Sequence, residues 1–243
     1  MAEPLTSLAD DRALLGRTST AERVADILRD RIAEGYFPPG ARLSEEGVCG
    51  ALGVSRNTLR EAFRLLTHER LLVHRLNRGV FVRVLDIGDV EDIYRTRALV
   101  ERAVVRGLGE APHGLGALAA AVREGRRAAR EDDWNGVATA NIRFHRALVA
   151  LAGSVRTDEL MRGVLAELRL AFHVVDDPRR LHQPYITRNA EVLAALEAGD
   201  RAAAEHLLTD YLDSSRRRVV EAYRDRVAGG GEREAAAAAA GGA

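Results

Sequence analysis

A chain of 243 residues, 47% hydrophobic and 30% charged, has room for one large domain or two modest ones and the composition of a soluble, core-forming protein. Its 36 basic residues are all arginine and balance 36 acidic ones, so whole-chain neutrality argues against a general polyanion binder without bearing on a local patch, and every cationic contact must use a guanidinium. One cysteine, Cys49, excludes an internal disulfide and a cysteine-rich zinc site; with no apolar run of about 18–20 residues and no leader pattern, a cytoplasmic protein with no membrane contact is expected.

Residues 1–18 are mixed and uncapped, and a flexible N-terminus is expected. The section 19–84 opens with Ser19 and Glu22 in capping-box spacing, followed by Val24, Ile27, Leu28 and Ile32 at helical period up to Gly35. "FPPG" turns the chain, a short helix runs from Ser44 to about Ala51, "LGV" makes a tight turn, and a second helix starts at Ser55. In that helix Leu59, Ala62, Phe63 and Leu66 form an apolar stripe, while Arg56, Arg60 and Arg64 share another face. "LLVHRLNRGVFVRV" then predicts two short strands around a turn at Asn77, Arg78 and Gly79. The order is that of a winged helix-turn-helix.

The section 86–226 shows no strand pattern and predicts helices near 88–108, 114–131, 134–152, 156–176, 184–198 and 201–226. The fold class is therefore mainly α, an N-terminal winged helix-turn-helix followed by an all-helical bundle, with a disordered Gly/Ala tail at 227–243.

Charge is unevenly spread. Between Gly53 and Val84 seven arginines face two glutamates, so positive charge gathers on the helix and hairpin that would meet phosphates. "SRNTLR" supplies short polar groups to cap a helix and dock on a phosphate, and Arg and Asn to reach base edges; an arginine bidentate to guanine contributes about 1–3 kcal/mol of discrimination. An arginine stripe alone is more often a solvated face. The turn, the polar cap and the wing together favour DNA.

The stretch "RLSEEGVCGALGVSRNTLREAFRLLTHERLLVHRLNRGVFV" resembles the DNA-binding domain of GntR-type transcription regulators, and the helical remainder resembles the FCD effector domain of their FadR-like subfamily. Together the two resemblances cover about residues 19–226. They imply a homodimeric, ligand-responsive regulator, usually a repressor, on an inverted repeat of double-stranded DNA. By position, Ser55, Arg56, Asn57, Thr58 and Arg60 would dock in the major groove, and Arg78 with Gly79 would form the wing tip in the minor groove. One departure is Glu46 in "LSEEGVCG", where the family commonly has arginine; Gly47 beside it weakens the capping box at Ser44. Replacing Arg56 or Arg60 by alanine is expected to abolish operator binding and leave the dimer intact.

The resemblance also implies a bundle metal held by Asp and His at i, i+4 and by two later histidines. Those positions read Asn141, His145, Asn189 and Tyr211, so one strong ligand of four remains. His206 falls on another helix face, and His173 and His182 flank "VVDDP" as weaker candidates. No metal or other cofactor is expected. Asn141, His145, Asn189 and Tyr211 look instead like a hydrogen-bonding pocket for a small organic effector, with Arg97 as a fork for its carboxylate. A filled, structural polar core and weak metal binding stay open beside that reading. An enzyme is not expected, because no paired-carboxylate, Ser/His/Asp or phosphate-cradle constellation accompanies His145.

Overall fold

The computed structural model describes residues 19–109, 114–175 and 177–240, with side chains as far as residue 226. The N-terminal 1–18, expected to be flexible, lies outside the described residues. Helix α1 (Thr20–Ala33) begins with the expected capping box: Ser19 Oγ accepts from the Glu22 N–H at 3.1 Å, and the Glu22 carboxylate accepts from the Ser19 N–H at 2.7 Å. Its buried face is Ala21, Val24, Ala25, Leu28 and Ile32. Ile27, expected on that stripe, falls outside it and is 45% exposed.

Strand β1 (Arg42–Leu43), helices α2 (Glu45–Leu52) and α3 (Arg56–His68), and strands β2 (Leu72–Arg75) and β3 (Gly79–Val82) complete the first unit. Helix α2 ends at Gly53, whose φ of 64° is left-handed, and the chain re-enters a helix within three residues. Leu59, Ala62, Phe63 and Leu66 of α3 are buried, as their spacing predicts. The sheet is antiparallel in the order β1-β3-β2, with Leu43 opposite Val80 and Arg75 opposite Gly79. At two residues β1 is too short for a period-2 pattern, and the sequence reading missed it.

Six helices follow: α4 (Ile87–Gly107), α5 (Gly116–Arg130), α6 (Trp134–Ala150), α7 (Val155–Phe172), α8 (Pro178–Glu197) and α9 (Arg201–Ala240). Helix α8 starts six residues before the expected 184, because Asp177 caps it through the Arg180 N–H at 3.0 Å and Pro178 occupies its first position. Pro184 therefore lies inside the helix. It has no N–H for the Arg180 carbonyl, and the Arg218 guanidinium donates to that oxygen instead, at 3.3 Å. Where composition predicts an unstructured tail from 227, α9 continues as helix to Ala240, through a run of alanine, the strongest helix former.

One apolar cluster joins the two units. Val24, Leu28 and Ile32 of α1 and Leu59, Phe63 and Leu66 of α3 share a core with Leu165, Leu168 and Phe172 of α7, and α1 packs directly on α7. At about 1.5–3 kcal/mol for each fully buried Leu or Phe, that core seats the winged unit firmly on the bundle. A second cluster, including Val105, Leu118, Phe144, Leu148, Tyr185 and Leu208, lies within the bundle. No helix of the described residues is long and apolar enough to cross a membrane.

Candidate functional site

The first site lies on α3 and the β2–β3 hairpin. Ser55 is the N-cap of α3: its Oγ accepts from the Thr58 N–H at 3.1 Å and lies 2.9 Å from Thr58 Oγ1, so both hydroxyls hold the first turn in place. Arg56 and Asn57 project from that turn, exposed, and Arg56 has no ion pair to a described residue. At the hairpin tip Asn77 has φ 58° and Gly79 φ 100°, a bend that favours these two residue types. Arg78 is exposed between them, and Leu76 beside it is 82% exposed.

Arg60 differs from Arg56. Its Nε donates to both carboxylate oxygens of Glu45 on α2, at 3.1 and 3.2 Å, and that carboxylate raises its pKa. Arg64 is paired with Glu61 at 3.0 Å. Among the described residues Arg56, opening α3, and Arg78, at the hairpin tip, have no acidic partner, nor has Arg75, which lies over the Phe81 ring 4.8 Å from its centre, whereas Arg60 and Arg64 must leave a carboxylate to reach a phosphate. The sequence reading picked out Glu46, which is exposed, and missed Glu45; the only signal was the adjacent acid in "SEEG".

The second site is the polar core of the bundle, assembled from four i, i+4 pairs: Arg97 and Glu101 on α4, Asn141 and His145 on α6, Tyr185 and Asn189 on α8, and Tyr211 and Ser215 on α9. All five residues expected to form an effector pocket are buried here. Arg97 Nε donates to Glu101 Oε1 at 2.8 Å, and His145 Nδ1 lies 2.8 Å from Glu101 Oε2. Asn141 Oδ1 accepts twice at 2.8 Å, from Asn189 Nδ2 and from the Tyr211 hydroxyl. The Tyr94 hydroxyl lies 2.6 Å from Ser215 Oγ, and the Arg97 guanidinium sits over the Tyr94 ring, 5.1 Å from its centre.

Glu101 is the central residue that sequence reading missed. It is one helical turn from Arg97, and that spacing was the available signal. Burial works to raise its pKa, but Arg97 and then His145 outweigh burial and hold it below the usual carboxylate range. Burial lowers the pKa of His145, with Glu101 opposing and Arg97 assisting, so the imidazole is neutral. A neutral ring beside a carboxylate places its proton on Nδ1 and leaves Nε2 as an acceptor. In this core four buried polar atoms have no hydrogen-bond partner among the described residues: Arg97 Nη2, His145 Nε2, Asn189 Oδ1 and the Tyr185 hydroxyl oxygen.

These residues do not fit a metal. Both lone pairs of Asn141 Oδ1 are engaged, Asn189 turns its amide nitrogen inward, and burial raises the Tyr211 pKa well above 10, keeping the phenol neutral. His145 Nε2 is the one strong donor presented, and among the described residues no group of three or more His, Cys, Asp or Glu is placed to hold an ion. The space beside Asn141, Asn189, Tyr185 and His182 is about 10 Å³, room for about one water, so this side of the core is closed to an organic molecule in this conformation. A cavity of about 790 Å³ lies elsewhere, at the joint of the two units among Asp26, Arg29, Glu69, Arg162 and Glu167.

Residues 20–82 match the family of bacterial regulatory proteins described as gntR, and residues 92–214 match the FCD domain. The "Probable D-xylose utilization operon transcriptional repressor" of Paenarthrobacter nicotinovorans is 32% identical over 211 residues, covering 82% of this chain and 88% of that protein. The crystal structure of a GntR regulator from Rhodococcus sp. RHA1 is 50% identical and superposes with a TM-score of 0.79, covering 85% of this chain and 100% of that one. E. coli McbR/YncC shares the fold, with a TM-score of 0.73 at 21% identity over 85% of this chain and 100% of its own.

Proposed function

This chain belongs to the gntR family of bacterial regulatory proteins and carries an FCD domain, and we propose that it is a cytoplasmic, homodimeric repressor that a small carboxylate-bearing metabolite releases from an inverted-repeat operator. The family and the relatives are transcription regulators, not enzymes. The observation that carries the DNA-reading half is the exposure, without acidic partners among the described residues, of Arg56 opening α3 and Arg78 at the hairpin tip, on a segment with five excess positive charges. Repression is supported by the D-xylose relative, whose name says it represses. A two-fold operator would take one α3 from each protomer, about 34–36 Å apart.

For the effector half, the support is the set of four orphaned polar atoms in the core around Asn141 and His145. Buried polar atoms are nearly always paired, and a carboxylate accepting from Arg97 Nη2, with a hydroxyl donating to His145 Nε2, would satisfy two of them at once. Entry requires Asn189 or Tyr211 to swing away from Asn141, because this side of the core has no room. A second reading, a filled and purely structural core, draws on that same small volume. Under both readings the protein works without a metal.

Mobility shifts on the intergenic DNA beside the gene test the first half: wild type is expected to bind an inverted repeat and Arg56→Ala to lose it. Equal affinity in the two proteins sinks the assignment of α3. A melting screen of metabolites tests the second half. If no carboxylate raises the melting temperature or weakens DNA binding, the core is structural. Stoichiometric metal in protein purified without chelator overturns the metal-free reading.

A further inference from the structure

The molecule contains three buried arginines among its described residues, and two are conventionally neutralised. Arg29 is held by Glu69, at 2.5 Å from Nε and 2.6 Å from Nη2, and by Asp26; Arg97 is held by Glu101. Arg169 on α7 is not. It is 4% exposed, no carboxylate of a described residue lies within ion-pair distance, and its Nε has no hydrogen-bond partner. Its one side-chain hydrogen bond to a described residue is from Nη2 to the Oδ1 of Asn135. Burial pulls its pKa down to about 10, which still leaves it charged at neutral pH. His182 and His173 beside it add no further positive charge, since burial and then Arg169 itself lower both of their pKa values.

The surroundings favour an anion. Asn135 is the second residue of α6, and the first N–H groups of a helix have no intrahelical acceptor and carry the positive end of its dipole. Asp133 caps only the Gly136 N–H, at 2.8 Å. The nearby Glu34 carboxylate is already shared by Arg31 at 3.0 Å and Arg143 at 3.4 Å. The location is the joint between the units: Asn135 Nδ2 donates to the Glu34 carbonyl at the end of α1, at 3.3 Å, and a Cβ on Gly35 would collide with the Arg169 guanidinium.

We propose that Arg169, with Asn135 and the first turn of α6, is a binding site for a small oxyanion, a carboxylate or inorganic phosphate, at the joint between the winged unit and the bundle. A buried charge without a partner is strongly unfavourable, and a guanidinium fork matches an oxyanion bidentately. The anion takes the place of Asn135 Oδ1 on Arg169. That releases the Arg169–Asn135–Glu34 bridge, so occupancy loosens α1 from α6. The site does not depend on the reading of the Asn141 core.

The test uses the full chain, titrated with phosphate and with acetate against chloride at matched ionic strength, followed by calorimetry and by melting. Wild type is expected to show saturable binding of at least one of the two, and the arm that saturates identifies the anion. Arg169→Met is expected to weaken that binding by about tenfold or more, and to melt in chloride at the same temperature or higher because the uncompensated charge is gone. Should Arg169→Met fail to fold, Arg169→Lys keeps the charge without the fork and is expected to bind more weakly than wild type. Asn189→Ala, in the Asn141 core, is expected to keep the response. No saturable binding by wild type, equal affinity in the Arg169 variant, or loss of binding in Asn189→Ala instead would each overturn the proposal.

Discussion

Two arginine–glutamate pairs in this chain use the same chemistry in opposite settings. Arg60 and Glu45 sit on the face proposed to read DNA, with side chains 58% and 34% exposed; Arg97 and Glu101 sit in the bundle at 1% and 0%. In water the first pair is weak and exchangeable, which suits an arginine that must trade a carboxylate for a phosphate. Out of water the second pair is compulsory, since neither charge can be left alone. The contrast teaches that the winged unit carries its function on groups free to change partner, whereas the bundle fixes its groups and changes only when something displaces them.

The sharpest way to break that contrast is Glu101→Gln. It leaves Arg97 as an uncompensated buried cation, and a loss of about 3–5 kcal/mol is expected in urea unfolding. The double variant Arg97→Met, Glu101→Leu removes both charges at similar volume and is expected to recover most of that loss. A near-neutral Glu101→Gln would mean that water reaches the core and that the two pairs are not in different settings.

On the other face Arg56→Ala is expected to leave unfolding unchanged and to weaken operator binding by about a hundredfold, the upper end for one base-reading arginine, which abolishes the shifted band at protein concentrations that saturate the wild-type complex. Loss of stability without loss of affinity would assign Arg56 to the fold.

The two regions were unequally legible in the sequence. In the winged unit, local signals suffice: the Ser19 and Ser55 caps, the Leu59 to Leu66 stripe and the Asn77-to-Gly79 bend all act within a few residues, and the structure forms each one. In the bundle the residues at family positions do converge, since Asn141, Asn189 and Tyr211 meet across 70 residues of sequence. What they do there was not legible. Glu101 lacks a motif, and Arg97, which its position presents as a free fork, is already engaged through Nε. Closure of the core depends on packing volumes, which no spacing pattern encodes. The start of α8 was misplaced because Pro184 reads as a boundary until Arg218, 34 residues later, supplies the missing donor.

A pH series sharpens the comparison from the bundle side. Burial, assisted by Arg169, lowers the pKa of His182 to about 3 from its ordinary 6.5. The folded value lies below the unfolded one, so the contribution is complete above 6.5 and is lost as pH falls from 6.5 to 3, by at most about 1.4 kcal/mol per pH unit. Glu167 at the joint has the opposite sign: burial raises it to about 7, so its contribution is lost as pH rises from 4.5 to 7. The two oppose each other between 4.5 and 6.5, and the whole-protein curve cannot separate them. The difference between wild type and His182→Leu can. Wild type is expected to lose stability relative to the variant as pH drops below 6.5, and a difference flat with pH would show that His182 reaches water.

The smallest expected effect discriminates best on the DNA-reading side. Glu45→Gln removes the carboxylate that holds Arg60 and leaves the cap of α2 untouched, because Ser44 Oγ alone accepts from the Gly47 N–H, at 3.2 Å. Melting is therefore expected to stay within error. Freed from its partner, Arg60 gains a phosphate or base contact at lower cost, so affinity for operator DNA rises modestly. If the new contact is to phosphate, the slope of log affinity against log salt steepens by about one. If it is to a base edge, the slope stays constant and the gain is confined to the operator. An unchanged affinity with an unchanged slope would mean that Arg60 never leaves α2 in the complex, and that the exchangeable character assigned to this face belongs to Arg56 and Arg78 alone.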